Sequence, residues 1–337
     1  MSEAKLIYID DSLPGITRKG AGKGFAYYDP KGVLITDRAE KRRLNAIALP
    51  PAYIDEWFCP APNGHILATG MDDKGRKQYR YHPDFRAMKE GEKFDRCLAF
   101  GELLPLVRQR VEDDLQNEVM DRKRAVAAAI RLLDMGFVRV GNEAYAQRNK
   151  SFGATTLRSR HAEVDGAEVH LHFRGKGGKE RDVTLTDEDL AAAVGELQDM
   201  PGQKLFQYIS EDGERCPVDS GNVNDYLRES MGEEFSAKNF RTWHASVLGF
   251  GLLAGADEQP SIKQLLELVS DRLGNTPAVA RSSYIHPAVA DLLSSDGWAK
   301  WHDGLELPRA TKYLARHERG LIALLEKSPA AEELLAQ

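Results

Sequence analysis

The sequence has little cysteine: Cys59, Cys97 and Cys216 are the only three in 337 residues, far apart and without Cys-x-x-Cys or Cys/His spacing. That pattern excludes a disulfide framework and a structural zinc site, and leaves three reduced packing residues. No apolar run approaches the roughly 20 residues that span a bilayer. The start, MSEAKLIYIDD, carries acids where a secretory signal has a basic and then an apolar segment. The expected location is the cytoplasm, with no membrane partner. Internal repeats and low-complexity segments are also missing. So is an excess of positive charge: 46 Lys and Arg against 52 Asp and Glu give a net charge of -6. Taken alone, this argues against a nucleic-acid partner, because binding to phosphates depends on cations that release counterions. The signs are segregated, however. Basic residues gather at 74–80, 122–124, 158–160 and 174–181, and acids at 187–199, 211–214 and 332–333. A basic face with an acidic back fits that distribution.

What is present is an ordinary globular composition, 42% apolar and 29% charged, in a chain long enough for two cores. Residues 6–82 read as short strands broken by turns. LIYI, GFAYY and VLIT carry β-branched and aromatic residues, DPKG at 29–32 is a tight turn, and HILATG, DDKG and QYRYH form a hairpin. One helix over 37–49 interrupts them and stops at Pro50 and Pro51. The pattern predicts a small β-rich domain over 1–83. Its hairpin alternates basic and aromatic side chains: Arg76, Lys77, Tyr79, Arg80, Tyr81, His82. Alternate strand residues share a face. The segment is thus either a stacking and hydrogen-bonding surface for a DNA groove or a solvated hairpin with one aromatic face on the core.

From residue 84 the spacing turns helical, over 94–111 and 122–138. A three-stranded antiparallel sheet follows from 155–164, 168–175 and 181–185, with turns at Asp165-Gly166 and KGGKE. Helices resume after Thr186 and Asp189, which resemble a capping box, and after the candidate N-cap Ser236, and continue over 261–273 and 312–335. The expected fold is α+β: the β-rich domain plus a mainly helical domain over 84–337 that carries the sheet.

Five residues in this second domain carry chemistry. Arg139 follows a helix end beside a glycine, where it either caps carbonyls or faces a bound anion. Lys176 sits in a glycine-rich turn, as solvated decoration or as a mobile cation. Arg241 shares a helix face with His244 and, if buried, needs an anionic partner. Asn275 and Tyr284 lie in LGNTPAVARSSYIHP, residues 273–287. Any one of eleven tyrosines says little, and a phenol with an ordinary pKa near ~10 attacks well only beside cations. The set supplies them. Two guanidiniums can grip a phosphodiester, a lysine can protonate a departing oxygen, an amide can donate to a phosphoryl oxygen, and the tyrosine can take the phosphate.

The pieces GKGFAYYD, GRKQYRYH, RVGNEAY, GKGGKER, AKNFRTWHAS and LGNTPAVARSSYIHP, in that order from Gly22 to Pro287, resemble the type IB DNA topoisomerase family in its short form, found in bacteria and poxviruses. The resemblance implies Arg139, Lys176, Arg241 and Tyr284 as catalytic residues. It puts Asn275 where many members have histidine, a departure, since an amide donates a hydrogen bond but carries no proton charge. Gln78, Tyr79 and Tyr81 match positions that touch DNA near the scissile site, with Arg76 and Lys77 on their flank, and Tyr145 matches another DNA-contacting position. By the same resemblance the two domains form a C-shaped clamp on double-stranded DNA. A monomer associated with the nucleoid relaxes positive and negative supercoils through a transient 3′-phosphotyrosine, with no metal, ATP or small-molecule cofactor. The alternatives are a tyrosine site-specific recombinase and a catalytically silent duplex-DNA clamp. Lys238, three before Arg241 where recombinases usually have histidine, favours the topoisomerase.

Overall fold

The computed structural model describes residues 5–22, 24–232, 235–294 and 297–335. Contacts divide the chain into two compact units, Met1–Glu92 and Lys93–Leu335. The first holds β1 (Thr17–Ala21), β2 (Gly24–Tyr28), α1 (Arg38–Ala46), β3 (Ile54–Phe58), β4 (Ile66–Met71) and β5 (Lys77–Tyr81). β1 and β2 pair as a hairpin, and β3, β4 and β5 form an antiparallel sheet in chain order. Asp37 caps α1, accepting from the backbone of Ala39 and Glu40. Tyr27, Leu44, Phe58 and Ala68 fill a small core between them.

Two expected strands are not there. LIYI makes only a single bridge, Ile7 to Gly64, and VLIT only one, Leu34 to Tyr28. The Asp29 carboxylate accepts from the backbone of Lys31 and Val33, curling the chain so that Val33 and Leu34 face solvent. Two strands outside that expectation form instead, TRKGA and IDEWF. They are held by Arg18, which is buried, donates to Leu49 O, Pro50 O and Glu56, and lies 4.1 Å from the Phe25 ring. Propensity marks residues that fit a pleated surface, and here side-chain pairing outweighs it.

α2 (Pro83–Leu115) begins in the first unit. Its first turn places Phe85 against the rings of Tyr8, His65 and Tyr81, so the division falls after Glu92 rather than at the expected 83/84. The second unit continues with α3 (Arg122–Gly136), α4 (Glu143–Asn149), β6 (Ala162–Asp165), β7 (Glu168–Arg174), β8 (Glu180–Thr186) and α5 (Glu188–Asp199). Then come β9 (Gln207–Ile209), β10 (Arg215–Pro217), α6 (Ser220–Met231), α7 (Ala237–Ala254), α8 (Ile262–Leu273) and α9 (Pro277–Ser283). Four helices end it: α10 (Pro287–Asp291), α11 (Gly297–Asp303), α12 (Arg316–Leu325) and α13 (Ala331–Leu335). The three-stranded sheet is β6-β7-β8, antiparallel as its turn chemistry requires. The molecule is therefore α+β, with a β-rich first unit and a helical second unit that carries this sheet.

The first strand of that sheet starts later than expected. Ala154–Thr156 and Ser159–His161 are 3-10 turns; at the first the Thr155 and Thr156 hydroxyls donate to the carbonyls of Val140 and Gly153, and at the second Arg158 N donates to His161 Nδ1, so side chains offer the backbone a local alternative to the ladder. Thr186 ends β8, and Asp187 rather than Thr186 caps α5, accepting from Leu190 N at 2.8 Å. The hairpin of β9 and β10 has three residues a side, too few for alternation to announce it. The core of this unit packs Phe100, Leu104, Ile130, Phe240, Trp243 and Phe250 between α2, α3 and α7.

Candidate active site

Local rules explain where the tyrosine stands. In LGNTP, Gly274 ends α8 in the left-handed region (φ 66°), Thr276 caps α9 through Val279 N, and Pro277 opens it. Asn275 is pinned between two helices by capping chemistry, its N–H bonded to Ser270 O at 2.9 Å. α9 lasts seven residues and stops at Tyr284. Ser246 of α7 then ties down the chain that follows, accepting from His286 N and donating to Tyr284 O.

Arg139 arrives from the other side. α3 ends at Gly136, Phe137 takes a left-handed φ of 55°, and Arg139 follows two residues on. Its Nη1 donates to Tyr284 Oη at 2.9 Å and its Nη2 to Asn275 Oδ1 at 2.7 Å. Arg241, on the buried face of α7, donates to Phe137 O (2.7 Å), Leu273 O (2.9 Å) and Asn275 Oδ1 (3.2 Å). Its guanidinium carbon lies 4.9 Å from the centre of the Tyr284 ring. The buried arginine is thus held by carbonyls and an amide oxygen, and its partner from sequence, an anion, is not what fixes it. Two buried donors, Arg241 Nε and Asn275 Nδ2, have no hydrogen-bond partner among the described residues. Such groups are costly to leave unpaired, so they mark where an acceptor belongs.

The electrostatics follow from this crowding. Burial pushes the Arg241 pKa down, the Arg139 charge adds to that, and the result is about 10, still cationic at neutral pH. Burial alone would raise the Tyr284 phenol. The charges and donors of Arg241 and Arg139 outweigh it, and the net direction is down from the ordinary 10.

Lys176 occupies the exposed tip of the β7–β8 turn and, with Arg139 and Arg241, lines a shallow cavity. Its ammonium has no hydrogen bond or ion pair among the described residues. The same turn contributes Lys179, whose Nζ donates to Asn275 O at 2.7 Å, and β8 contributes Arg181, which donates to Arg272 O at 2.9 Å. Both residues belong to the segment GKGGKER, from which neither gains a role by sequence alone. No local signal gives one, because their partners are over ninety residues away.

A buried ion network lies behind the site. Asp134 of α3 accepts from Arg108 of α2 and sits 3.1 Å from His244 Nε2, and Arg108 also donates to Glu318 of α12. Burial would raise the Asp134 carboxyl, but Arg108 and His244 hold it well below the usual range. The sequence placed Arg241 and His244 on one face and missed the rest.

The candidate DNA-contacting residues divide between the units. In the first, Tyr79 and Tyr81 are exposed and stack at 5.7 Å with an interplanar angle of 7°. Lys77 pairs with Asp11 at 2.7 Å, while Arg76 and Gln78 both donate to Asp72, whose carboxyl Arg76 above all holds down at about 2. In the second unit, Tyr145 stands exposed on α4, 49% accessible.

Comparison with known proteins gives the class first. Residues 82–276 match the family described as eukaryotic DNA topoisomerase I, catalytic core, and residues 24–72 match the bacterial DNA topoisomerase IB N-terminal domain. Among individual relatives, the DNA topoisomerase 1B of Acanthamoeba polyphaga mimivirus is 31% identical over 81% of this chain and 85% of its own length. The DNA topoisomerase 1B of vaccinia virus (strain Western Reserve) is 23% identical over 68% of this chain and 72% of its own. The DNA topoisomerase 1 of Mycosarcoma maydis is 28% identical over 62% of this chain and 23% of its own. The chain belongs to the type IB DNA topoisomerases, isomerases that act on DNA.

Proposed function

We propose that this protein relaxes positive and negative supercoils by cutting one strand of duplex DNA through Tyr284 and rejoining it. The observation that carries the reading is Tyr284 Oη receiving Arg139 Nη1 at 2.9 Å, with the Arg241 guanidinium 4.9 Å from the same ring. Two cations stabilise the phenolate and then the charge that grows on a phosphate brought to it. The phenol gives its proton to solvent, Oη forms a bond to phosphorus, and the bond from phosphorus to the 5′ oxygen breaks. Lys176 Nζ gives a proton to that oxygen. The unpaired donors of Arg241 Nε and Asn275 Nδ2 take the non-bridging oxygens. Because the phosphotyrosine keeps the bond energy, the 5′ hydroxyl can reverse the attack after the strand swivels, and superhelical tension supplies the drive. Asn275 does this by hydrogen bonding alone, so no imidazolium is needed at its position.

Tyr79, Tyr81 and Tyr145 are the DNA-contacting aromatics of this reading. Arg76, Lys77 and Gln78 support the strand through Asp72 and Asp11. One tyrosine suffices, so the working unit is a monomer, and its place is the cytoplasm with the nucleoid. The test is plasmid relaxation in EDTA without ATP, run beside a detergent-trapped adduct assay. Wild type should relax both signs and carry DNA at its 3′ end; Tyr284→Phe should do neither while still binding DNA. An adduct confined to one defined site would favour a recombinase, and an adduct in Tyr284→Phe would remove Tyr284 as nucleophile.

A further inference from the structure

Resting on that reading of Lys176, we infer that Lys179 is a positioning residue, the tether that holds the turn carrying Lys176 against the loop carrying Asn275. The turn that joins β7 to β8 is built from Gly175 to Lys179, with Gly177 and Gly178 both at left-handed φ (77° and 78°). Internal bonds close it, Gly175 N to Lys179 O and Gly178 N to Gly175 O. Glycine there admits the turn and also leaves it conformationally loose. Its strands are anchored further back: Phe152 N bonds to Arg174 O, and Arg181 donates to the end of α8. At the tip itself, the Lys179 ammonium on Asn275 O is the one described hydrogen bond that joins the turn to another part of the unit.

The loop on the other end of this bond does not depend on it. Asn275 is also held by its own N–H on Ser270 O and by two guanidiniums on Oδ1, and Leu273 O by Arg241. Removing Lys179 therefore frees the turn far more than the loop. What is lost is the place of Lys176, which has no bond of its own among the described residues and lies on the rim of the Arg139–Arg241 cavity. Lys179 itself reaches a main-chain carbonyl, so its task is to hold and not to react. A conformationally open tip supplied with a single charge-assisted anchor keeps the general acid close to its oxygen while letting it withdraw.

The experiment uses the full chain with Lys176→Ala, Lys179→Met and Lys179→Arg, in single-turnover cleavage of a duplex with an ordinary linkage and of one with a bridging sulfur at the 5′ position. A thiolate leaves without a proton, so that duplex reports on everything except general acid catalysis. Lys179 is exposed, so its variants should fold. Lys179→Met should slow the ordinary duplex by about 10- to 100-fold, part of the 10²- to 10⁴-fold general acids contribute, and recover on the sulfur duplex. Lys179→Arg should keep the bond and most of the rate. A Lys179→Met defect equal on both duplexes, an unchanged rate, or a loss confined to DNA affinity would each overturn the inference. Failure of Lys176→Ala to recover on the sulfur duplex would instead strike the general-acid assignment itself, so the two failures are separable.

Discussion

Asn275 shows what one side chain does when one end of its amide is committed and the other is left open. Its oxygen accepts from Arg139 and Arg241, which forces the NH2 to the opposite side, where it is buried with no hydrogen-bond partner among the described residues. The amide thus orders two cations and presents a donor in one step. Arg139→Ala or Arg241→Ala should each slow single-turnover cleavage by about 10²- to 10³-fold, the scale of one lost oxyanion donor. A rate near wild type in either would refute its role. Neighbouring His286 makes a separate prediction. It is 4% exposed, its Nδ1 accepts from Ala288 N at 3.1 Å, and burial holds its pKa at about 4. The folded protein needs the neutral ring. Its contribution is present above the unfolded value of 6.5 and is lost as pH falls from there toward 4, on the order of 3 kcal/mol in full. Denaturation midpoints at pH 7.5 and 5 should differ less in His286→Asn, which keeps an acceptor for the cap. An equal difference in the variant would place the acid sensitivity elsewhere.

At the scale of elements, the site is made where segments end: α3 before Arg139, α8 before Asn275, α9 at Tyr284 and the β7–β8 turn at Lys176. Termini leave backbone groups unpaired, and here those carbonyls become the seats of cations, with Arg241 on Phe137 O and Leu273 O and Arg181 on Arg272 O. The 3-10 turn after α4 belongs to the same construction. A Cβ on Gly153 would stand 2.5 Å from Arg139 O and 2.7 Å from Gly141 N, both backbone atoms that cannot swing aside. Gly153→Ala should cost about 1–3 kcal/mol, the usual range for overpacking, and slow cleavage more than it weakens binding. Gly195→Ala in α5, where nothing lies within 4 Å, should be neutral or gain up to ~1 kcal/mol. Calorimetry and cleavage on the two variants check both; equal stability would show that the Arg139 segment tolerates displacement.

For the whole molecule, a net charge of -6 stands beside a substrate made of phosphates. Segregated charge resolves this only if the cations near Tyr284 meet the backbone. DNA binding should then weaken steeply with salt, by about 10³-fold or more between 50 and 200 mM if six or more phosphates are contacted. A flat response would contradict a phosphate-tracking interface. Much of this organisation was legible in the chain. The β-rich start, the helical remainder, the β6-β7-β8 sheet and the starts of α1, α7 and α8 follow from alternation, periodicity and caps, all of which act over a few residues. β1 and β3 were not legible, because what holds them is Arg18 of β1 reaching Glu56 of β3 and the carbonyls of Leu49 and Pro50, over thirty positions away. The sequence by itself determined that a helix over 261–273 would end just before Asn275, and that Lys176 would ride a glycine turn. Only the tertiary structure decided that Arg139 would reach Tyr284 across 145 positions and Lys179 reach Asn275 across 96. Caps and turns are fixed by local backbone chemistry, whereas such pairings depend on how packed helices set the distance between their ends.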